Sequence, residues 1–183
     1  MARPMTEMNL KSAFSGESQA HLRYMIFSDR ARRGGLPNIA RLFDAISYAE
    51  KIHATNHFKN IRNFGADSTV AMAGFGSTKT SEDLEIGIEG ETFEINEMYP
   101  AYLEVAKAQK EYAAEVTLHY AWEAEKTHVE FFKKAKVDVD AGRDAKLGPV
   151  CVCGVCGYTA EGEPPEVCPI CKATKEKFNV YSS

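Results

Sequence analysis

The string Ala-Glu-Lys-x-His occurs twice in this chain, at Ala49–His53 and again at Ala124–His128, 75 residues apart. A Glu and a His three residues apart lie on one helical face about one turn apart, so each copy can reach a metal ion at a single level of a helix bundle. Two copies, Glu50 with His53 and Glu125 with His128, can hold a pair of ions. Such a site needs one further carboxylate from each of two other helices. Glu17 stands in the first helical segment, and Glu91, Glu94 and Glu97 stand in the third. Each residue advances about 100° around a helix axis, which separates residues 91 and 97 by about 120°. The three cannot all face the core, and periodicity does not choose among them. A single Glu-x-x-His reads best as a salt-bridged, solvated face. Two copies on alternate helices read as a metal site, because carboxylates sharing a low-dielectric core are costly unless cations neutralise them.

The segments that carry these residues have helical periodicity punctuated by breakers. Met5–Arg33 places Leu22, Met25 and Ile26 at helical spacing and stops at Gly34-Gly35. Pro37 suits the first turn of a second helix, which runs through Leu42, Ile46 and Ile61 to Gly65. The Gly-rich stretch 65–80 reads as a crossover loop, with an apolar patch at Val70–Phe75 able to fold over the bundle. A third helix begins near Ser81 and a fourth ends near Gly142, with the turn between them placed near Ala108–Glu111. Pro100 falls inside the third helix, where its missing N–H should kink it one turn from Glu97. The expected organisation is an all-α four-helix bundle over 1–142, a linker over 143–149 and a small metal-binding domain over 150–183.

All five cysteines lie between Cys151 and Cys171. Cys153-x-x-Cys156 and Cys168-x-x-Cys171, with eleven residues between the pairs, put four thiolates around one tetrahedral metal. A module this small needs that metal to stay folded. Spacing does not separate zinc, a structural clip, from iron, a one-electron carrier. A di-iron site in the same chain, which needs electrons, favours iron. Cys151 is expected to be a free thiol.

Other features bound the function. The formal charge of −4 with interspersed signs argues against a nucleic-acid surface. No apolar run approaches the roughly 18 residues of a membrane span. The first ten residues do not read as a signal peptide, and clustered CxxC pairs fit a reducing compartment, so a cytoplasmic location is expected. No Gly-rich dinucleotide fingerprint is present. His57 follows Glu50 on nearly the same face but about 10 Å along the axis, and with His21 it reads as a surface or packing residue. His119 reads as unrelated to the site. Tyr24, seven residues from Glu17, is either a hydrogen-bond donor to a ligand carboxylate or a core aromatic.

Taken together, Gly16-Glu17-Ser18-Gln19-Ala20, Ala49–Ala54, Gly90–Pro100, Ala124–His128 and the rubredoxin-like Cys153–Tyr158 with Cys168–Cys171 closely resemble the rubrerythrin family over essentially the whole chain. The resemblance implies a ferritin-like di-iron bundle with a rubredoxin-like iron domain. It implies Glu17, Glu50, Glu94, Glu97, Glu125 and His128 as iron ligands, Glu50 and Glu125 bridging, and Glu91 as a neighbour. His53 and Glu97 would alternate on one iron with oxidation state. The implied activity is reduction of hydrogen peroxide to water in oxidative-stress protection, with Tyr24 or a carboxylate relaying protons. Electrons would come through the tetra-cysteine iron from rubredoxin or from NAD(P)H through a separate reductase. A homodimer is implied, the small domain facing the partner's bundle, with helix exchange between protomers left open. Two departures from the family, Cys151 and the loop at 65–80, touch no ligand position. The rival readings are a ferritin-like ferroxidase and an electron carrier whose bundle is only a scaffold.

Overall fold

The structure is a computed structural model and describes residues 3–62 and 78–182. The expected apolar patch at Val70–Phe75 lies outside them, as does the crossover loop up to residue 77. Helix α1 spans Pro4–Arg33, α2 Pro37–Asn60, α3 Thr80–Phe93, α4 Tyr99–Gln109 and α5 Tyr112–Asp140. Proline opens α1 and α2, where an absent N–H costs nothing. Arg30, Arg32 and Arg33 in the last turn of α1 complement its carbonyl end. The start of α2 is capped from far along the chain: both Asp144 carboxylate oxygens accept from the backbone N–H groups of Asn38 and Ile39, at 2.8 and 3.1 Å. Helix α2 ends at Asn60 rather than Gly65, the chain turning extended at Ile61.

The third bundle helix is α3 and α4 joined by a π-helical turn at Glu94–Met98. Its buried face steps through Leu84, Gly87 and Glu91, then resumes at Tyr99, Leu103 and Ala106. Eight residues separate Glu91 from Tyr99, whereas two α-turns take about seven. The wider turn absorbs the extra residue and brings the α4 face back onto the core. Pro100 is the reason it closes there. The Tyr99 N–H reaches back to the Glu94 carbonyl, but Pro100 has no N–H for the next carbonyl, that of Ile95. The Trp122 indole N–H on α5 donates to Ile95 instead, at 2.8 Å. The expected kink is therefore a π turn. The turn between α4 and α5 falls at Lys110, which adopts the left-handed conformation at φ 57°, so neither Gly nor Pro marks it in the sequence.

Two apolar clusters occupy the two ends of the bundle. Tyr24, Phe27, Phe43 and Phe132 interlock at one end, with ring centroids 5.3 Å apart for Tyr24–Phe132 and for Phe43–Phe132. Gly87 leaves room for the Phe132 ring, which a Cβ there would meet at 2.9 Å. Leu10, Tyr99, Leu103 and Leu118 fill the other end. Between these clusters lies the layer that contains both Glu-x-x-His motifs.

Strands β1 (Val150–Cys153), β2 (Thr159–Glu161) and β3 (Phe178–Tyr181) form an antiparallel sheet in the order β2-β1-β3. This small domain sits on the bundle of its own chain, where the resemblance implies a contact between subunits. The Cys156 carbonyl lies 3.1 Å from His53 Nε2, the Asn56 amide donates to the Val155 carbonyl at 2.8 Å, and Asn179 donates to Tyr48 Oη at 2.8 Å. Arg41 holds the carbonyls of Leu147 and Gly148. Gly157 makes the approach possible: its φ is +83°, and a Cβ there would fall 2.1 Å from His53 Nε2. Gly157→Ala combines a left-handed strain of about 1–2 kcal/mol with that clash. Limited proteolysis is expected to cut residues 143–149 faster in the variant while its four-cysteine site still binds metal. Unchanged resistance would contradict this docking.

Candidate metal centre

Four helical segments converge on one layer. Glu17 comes from α1, Glu50 and His53 from α2, Glu91 from α3, and Glu125 and His128 from α5; each is at most 2% exposed. Their ligand atoms form two groups, Glu17 with Glu50, His53 and Glu125, and Glu91 with Glu50, Glu125 and His128, each with atoms within 4.8 Å of one another. Glu50 and Glu125 belong to both. His53 Nδ1 lies 3.0 Å from Glu50 and 2.8 Å from Glu125; His128 Nδ1 lies 2.6 Å from Glu125 and 3.4 Å from Glu50. The imidazoles stack with centroids 5.8 Å apart. The Nε2 atom of each faces the small domain, His53 meeting the Cys156 carbonyl and His128 the Thr159 hydroxyl at 3.0 Å.

The electrostatics of the layer are those of a site suited to cations. Burial, then the charge of Glu125, push Glu17 up to about 8. The same causes, together with Glu50, hold Glu91 well above the usual carboxylate range. Burial also acts on Glu125 and Glu50, but the facing imidazoles outweigh it and hold both carboxyls low. His53 and His128 are raised against the pull of burial, chiefly by Glu125. One oxygen on each of Glu17, Glu50, Glu91 and Glu125 is buried without a hydrogen bond. Buried carboxylate oxygens are seldom left so, and two shared carboxylates with two imidazoles form a donor set suited to a pair of ions. The layer therefore fits the two metals.

The third helix departs from expectation. Glu97, expected as a ligand, is exposed and stands outside both groups, whereas Glu91, expected as a neighbour, is buried inside one. The reason is helical phase: Glu91 continues the Leu84–Gly87 face, and the π turn carries Glu97 outward. Glu94 is partly covered, and burial followed by Glu17 and Glu125 pushes its carboxyl well above normal. It stands at the edge of the layer. The step of four from Gly87 to Glu91, facing the Phe132 and His128 side of α5, was the signal available in the sequence.

Two tyrosines complete the layer. Tyr24 Oη donates to Glu91 Oε1 at 2.7 Å, and Tyr99 Oη donates to Glu17 Oε1. Of the remaining histidines, His57 is buried against Tyr99, and burial, then the charge of His53, push it down to about 3. His21 meets the Ser47 carbonyl and exposed His119 packs on Trp122.

In the small domain Cys153, Cys156, Cys168 and Cys171 form the third group. Sγ atoms are 3.6 Å apart for Cys153–Cys171 and for Cys156–Cys168. Each Cys-x-x-Cys closes alike, with a left-handed residue after its second cysteine, Gly157 or Lys172, whose N–H reaches the carbonyl of the first. The Cys156 contact, against the pull of burial, brings Cys153 down to about 5. Cys171 alone of the four is partly exposed. Cys151 is buried in β1, outside the group.

A four-helix bundle with two linked carboxylate–histidine groups and an appended four-thiolate domain defines a di-iron carboxylate protein with a rubredoxin-like iron site. Family models agree: residues 8–136 match rubrerythrin, and residues 152–179 match the rubredoxin-like domain of rubrerythrin. The chain belongs to the rubrerythrin family. It is 47% identical to rubrerythrin-2 of Clostridium acetobutylicum, with 97% of each chain covered. It is 36% identical to nigerythrin of Nitratidesulfovibrio vulgaris, over 94% of this chain and 85% of that one. The solved mixed-valence structure of nigerythrin superposes with a TM-score of 0.84 at 33% identity, over 99% of this chain and 88% of that one. No helix among the described residues is long and apolar enough to cross a membrane.

Between pH 6.5 and 8 the shifts in the metal-free layer act together. Folded Glu17, titrating near 8 against 4.5 for a free side chain, keeps a proton that the unfolded chain has lost. His53 and His128, raised above 6.5, do the same. The folded state binds more protons, so stability falls as pH rises. Glu50 and Glu125 have given their full contribution above 4.5 and do not oppose this, and His57 opposes it only in part, at the lower edge of the window where the unfolded imidazole is still losing its proton. With the four-cysteine site kept loaded, so that the lowered Cys153 thiol does not pull the other way, the Tm of protein whose bundle is metal-free is therefore expected to fall across this window, and zinc added to the bundle to raise it more at pH 8 than at pH 6.5. A flat or rising metal-free Tm would contradict the layer described.

Proposed function

We propose that this chain is a non-haem di-iron peroxidase that reduces hydrogen peroxide to water, drawing electrons through its rubredoxin-like iron. The observation that carries the reading is the hydrogen-bonded junction of the two sites, with His53 Nδ1 against the bundle carboxylates and His53 Nε2 on the Cys156 carbonyl. Glu17, Glu50, His53, Glu91, Glu94, Glu125 and His128 would hold the bundle irons, and Cys153, Cys156, Cys168 and Cys171 the third. Iron, when bound, supplies the electrons that break the peroxide O–O bond and the positive charge that the buried carboxyls lack.

The residues supply placement and protons. Glu50 and Glu125 link the two ion positions. Tyr24 and Tyr99, both held well above the usual phenol range chiefly by burial, keep their protons on Glu91 and Glu17, at hand for the two oxygens that leave as water. The aromatic cluster and the small domain exclude bulk water from the layer. The partly exposed Cys171 gives a donor protein access to the third iron. That donor is rubredoxin or an NAD(P)H-dependent reductase, and the setting is oxidative-stress protection in the cytoplasm. Exposed Leu22, Met25 and Ile26 on α1 support a homodimer.

The test is stopped-flow absorption of dithionite-reduced, iron-loaded protein mixed with one equivalent of peroxide. One iron for each of the three residue groups, fast bundle oxidation, and then return of the red four-cysteine absorption are expected. Peroxide that leaves both sites reduced would put the electron-carrier reading ahead, and reaction faster with oxygen and accompanied by iron release the ferroxidase reading.

A further inference from the structure

His57 lies on α2 one turn beyond His53, outside both ligand groups, and is 0% exposed. Its ring packs on Tyr99, a member of the apolar cluster at this end of the bundle, with centroids 5.9 Å apart. Both of its ring nitrogens are nevertheless engaged. Thr117 Oγ1, itself buried on α5, lies 3.1 Å from Nδ1, and Tyr99 Oη lies 3.1 Å from Nε2. Tyr99 in turn meets Glu17 Oε1.

The inventory of donors gives this chain a direction. A phenol has one O–H, and Tyr99 spends it on Glu17. Its oxygen must then accept from His57, which carries its proton on Nε2. Nδ1 is left as a bare lone pair, and Thr117 donates to it. The order Thr117 to His57 to Tyr99 to Glu17 satisfies every member. It also divides the two oxygens of Glu17: Oε1 is taken by Tyr99, while Oε2 faces His53 at 3.9 Å and is buried without a hydrogen bond.

We infer that His57 and Thr117 are positioning residues for the Glu17 end of the metal site: acting through the Tyr99 hydroxyl, they hold Oε1 and leave Oε2 as the oxygen presented to an ion. The inference rests on Glu17 being a ligand. Groups that orient a ligand from behind it commonly contribute 10- to 100-fold in metal affinity.

The experiment uses the full chain with its four-cysteine site saturated, and measures zinc affinity of the bundle by competition with a chelating dye. His57→Leu and Thr117→Val are each expected to weaken binding about tenfold or more, and His57→Gln, whose amide N–H can serve the Tyr99 oxygen, to recover most of it. Thr117→Val leaves no cavity, and the Tm of each metal-free variant is measured beside its affinity so that a loss of fold is told from a loss of ligand placement. In the zinc-loaded wild type, 15N NMR of labelled histidine should place the His57 proton on Nε2. Unchanged affinity in the Leu and Val variants, equal losses with Leu and Gln, or a proton on Nδ1 would each overturn the inference. A wild-type bundle that takes up no zinc would remove the ligand reading itself, and would be seen before any variant is compared.

Discussion

Everything in the bundle is arranged around the mutual repulsion of carboxyl groups buried in one layer. Two unit charges 4 Å apart interact by about 4 kcal/mol even at an effective dielectric of 20, and Glu50 and Glu125 have ligand atoms within 4.8 Å of each other, of Glu17 in one group and of Glu91 in the other. Two imidazoles soften the repulsion without removing it, since Glu17 and Glu91 keep raised pKa values and each of the four carboxyls keeps an oxygen without a hydrogen bond. A fold that was only a scaffold would fill this layer with leucine. The apolar clusters at either end hold the helices against the strain, and the layer's natural complement is positive charge.

The third helix shows how backbone geometry serves that layer. Gly87 lets Phe132 close against α3, Glu91 follows on the same face, and the π turn then resets the helix so that Tyr99 returns to the core with its hydroxyl on Glu17. A regular α-helix would rotate Tyr99 away from the Glu91 direction by about 80°, the excess of eight residues over two full turns. Pro100 and Trp122 fix where the wide turn ends. One irregular turn thus sets which carboxyl enters the site and which tyrosine supports it.

The bundle and the cysteine module were legible because their signals are local. Glu-x-x-His encodes a shared helical face and Cys-x-x-Cys a metal-binding turn, whatever surrounds them. The choice among Glu91, Glu94 and Glu97 was not legible, because counting at a constant 100° fails across a π turn. The Tyr99–His57–Thr117 chain joins three helices through side chains distant in sequence, and no periodicity announces it. The turn at Lys110 was placed by length alone. The close docking of the small domain requires a glycine at Gly157, and the cysteine spacing beside it says nothing of the helix it will face.

The two groups of ligand atoms would have Glu91 and His128 serve one ion and Glu17 and His53 the other, with Glu50 and Glu125 between them. Anomalous diffraction from crystals of iron-loaded protein grown without oxygen reads this directly. Two iron peaks in the layer are expected, with Glu91 on the ion beside His128 and Glu97 in solvent. A peak bound by Glu97 with Glu91 unligated, or a layer with no iron between Glu50 and Glu125, would contradict it.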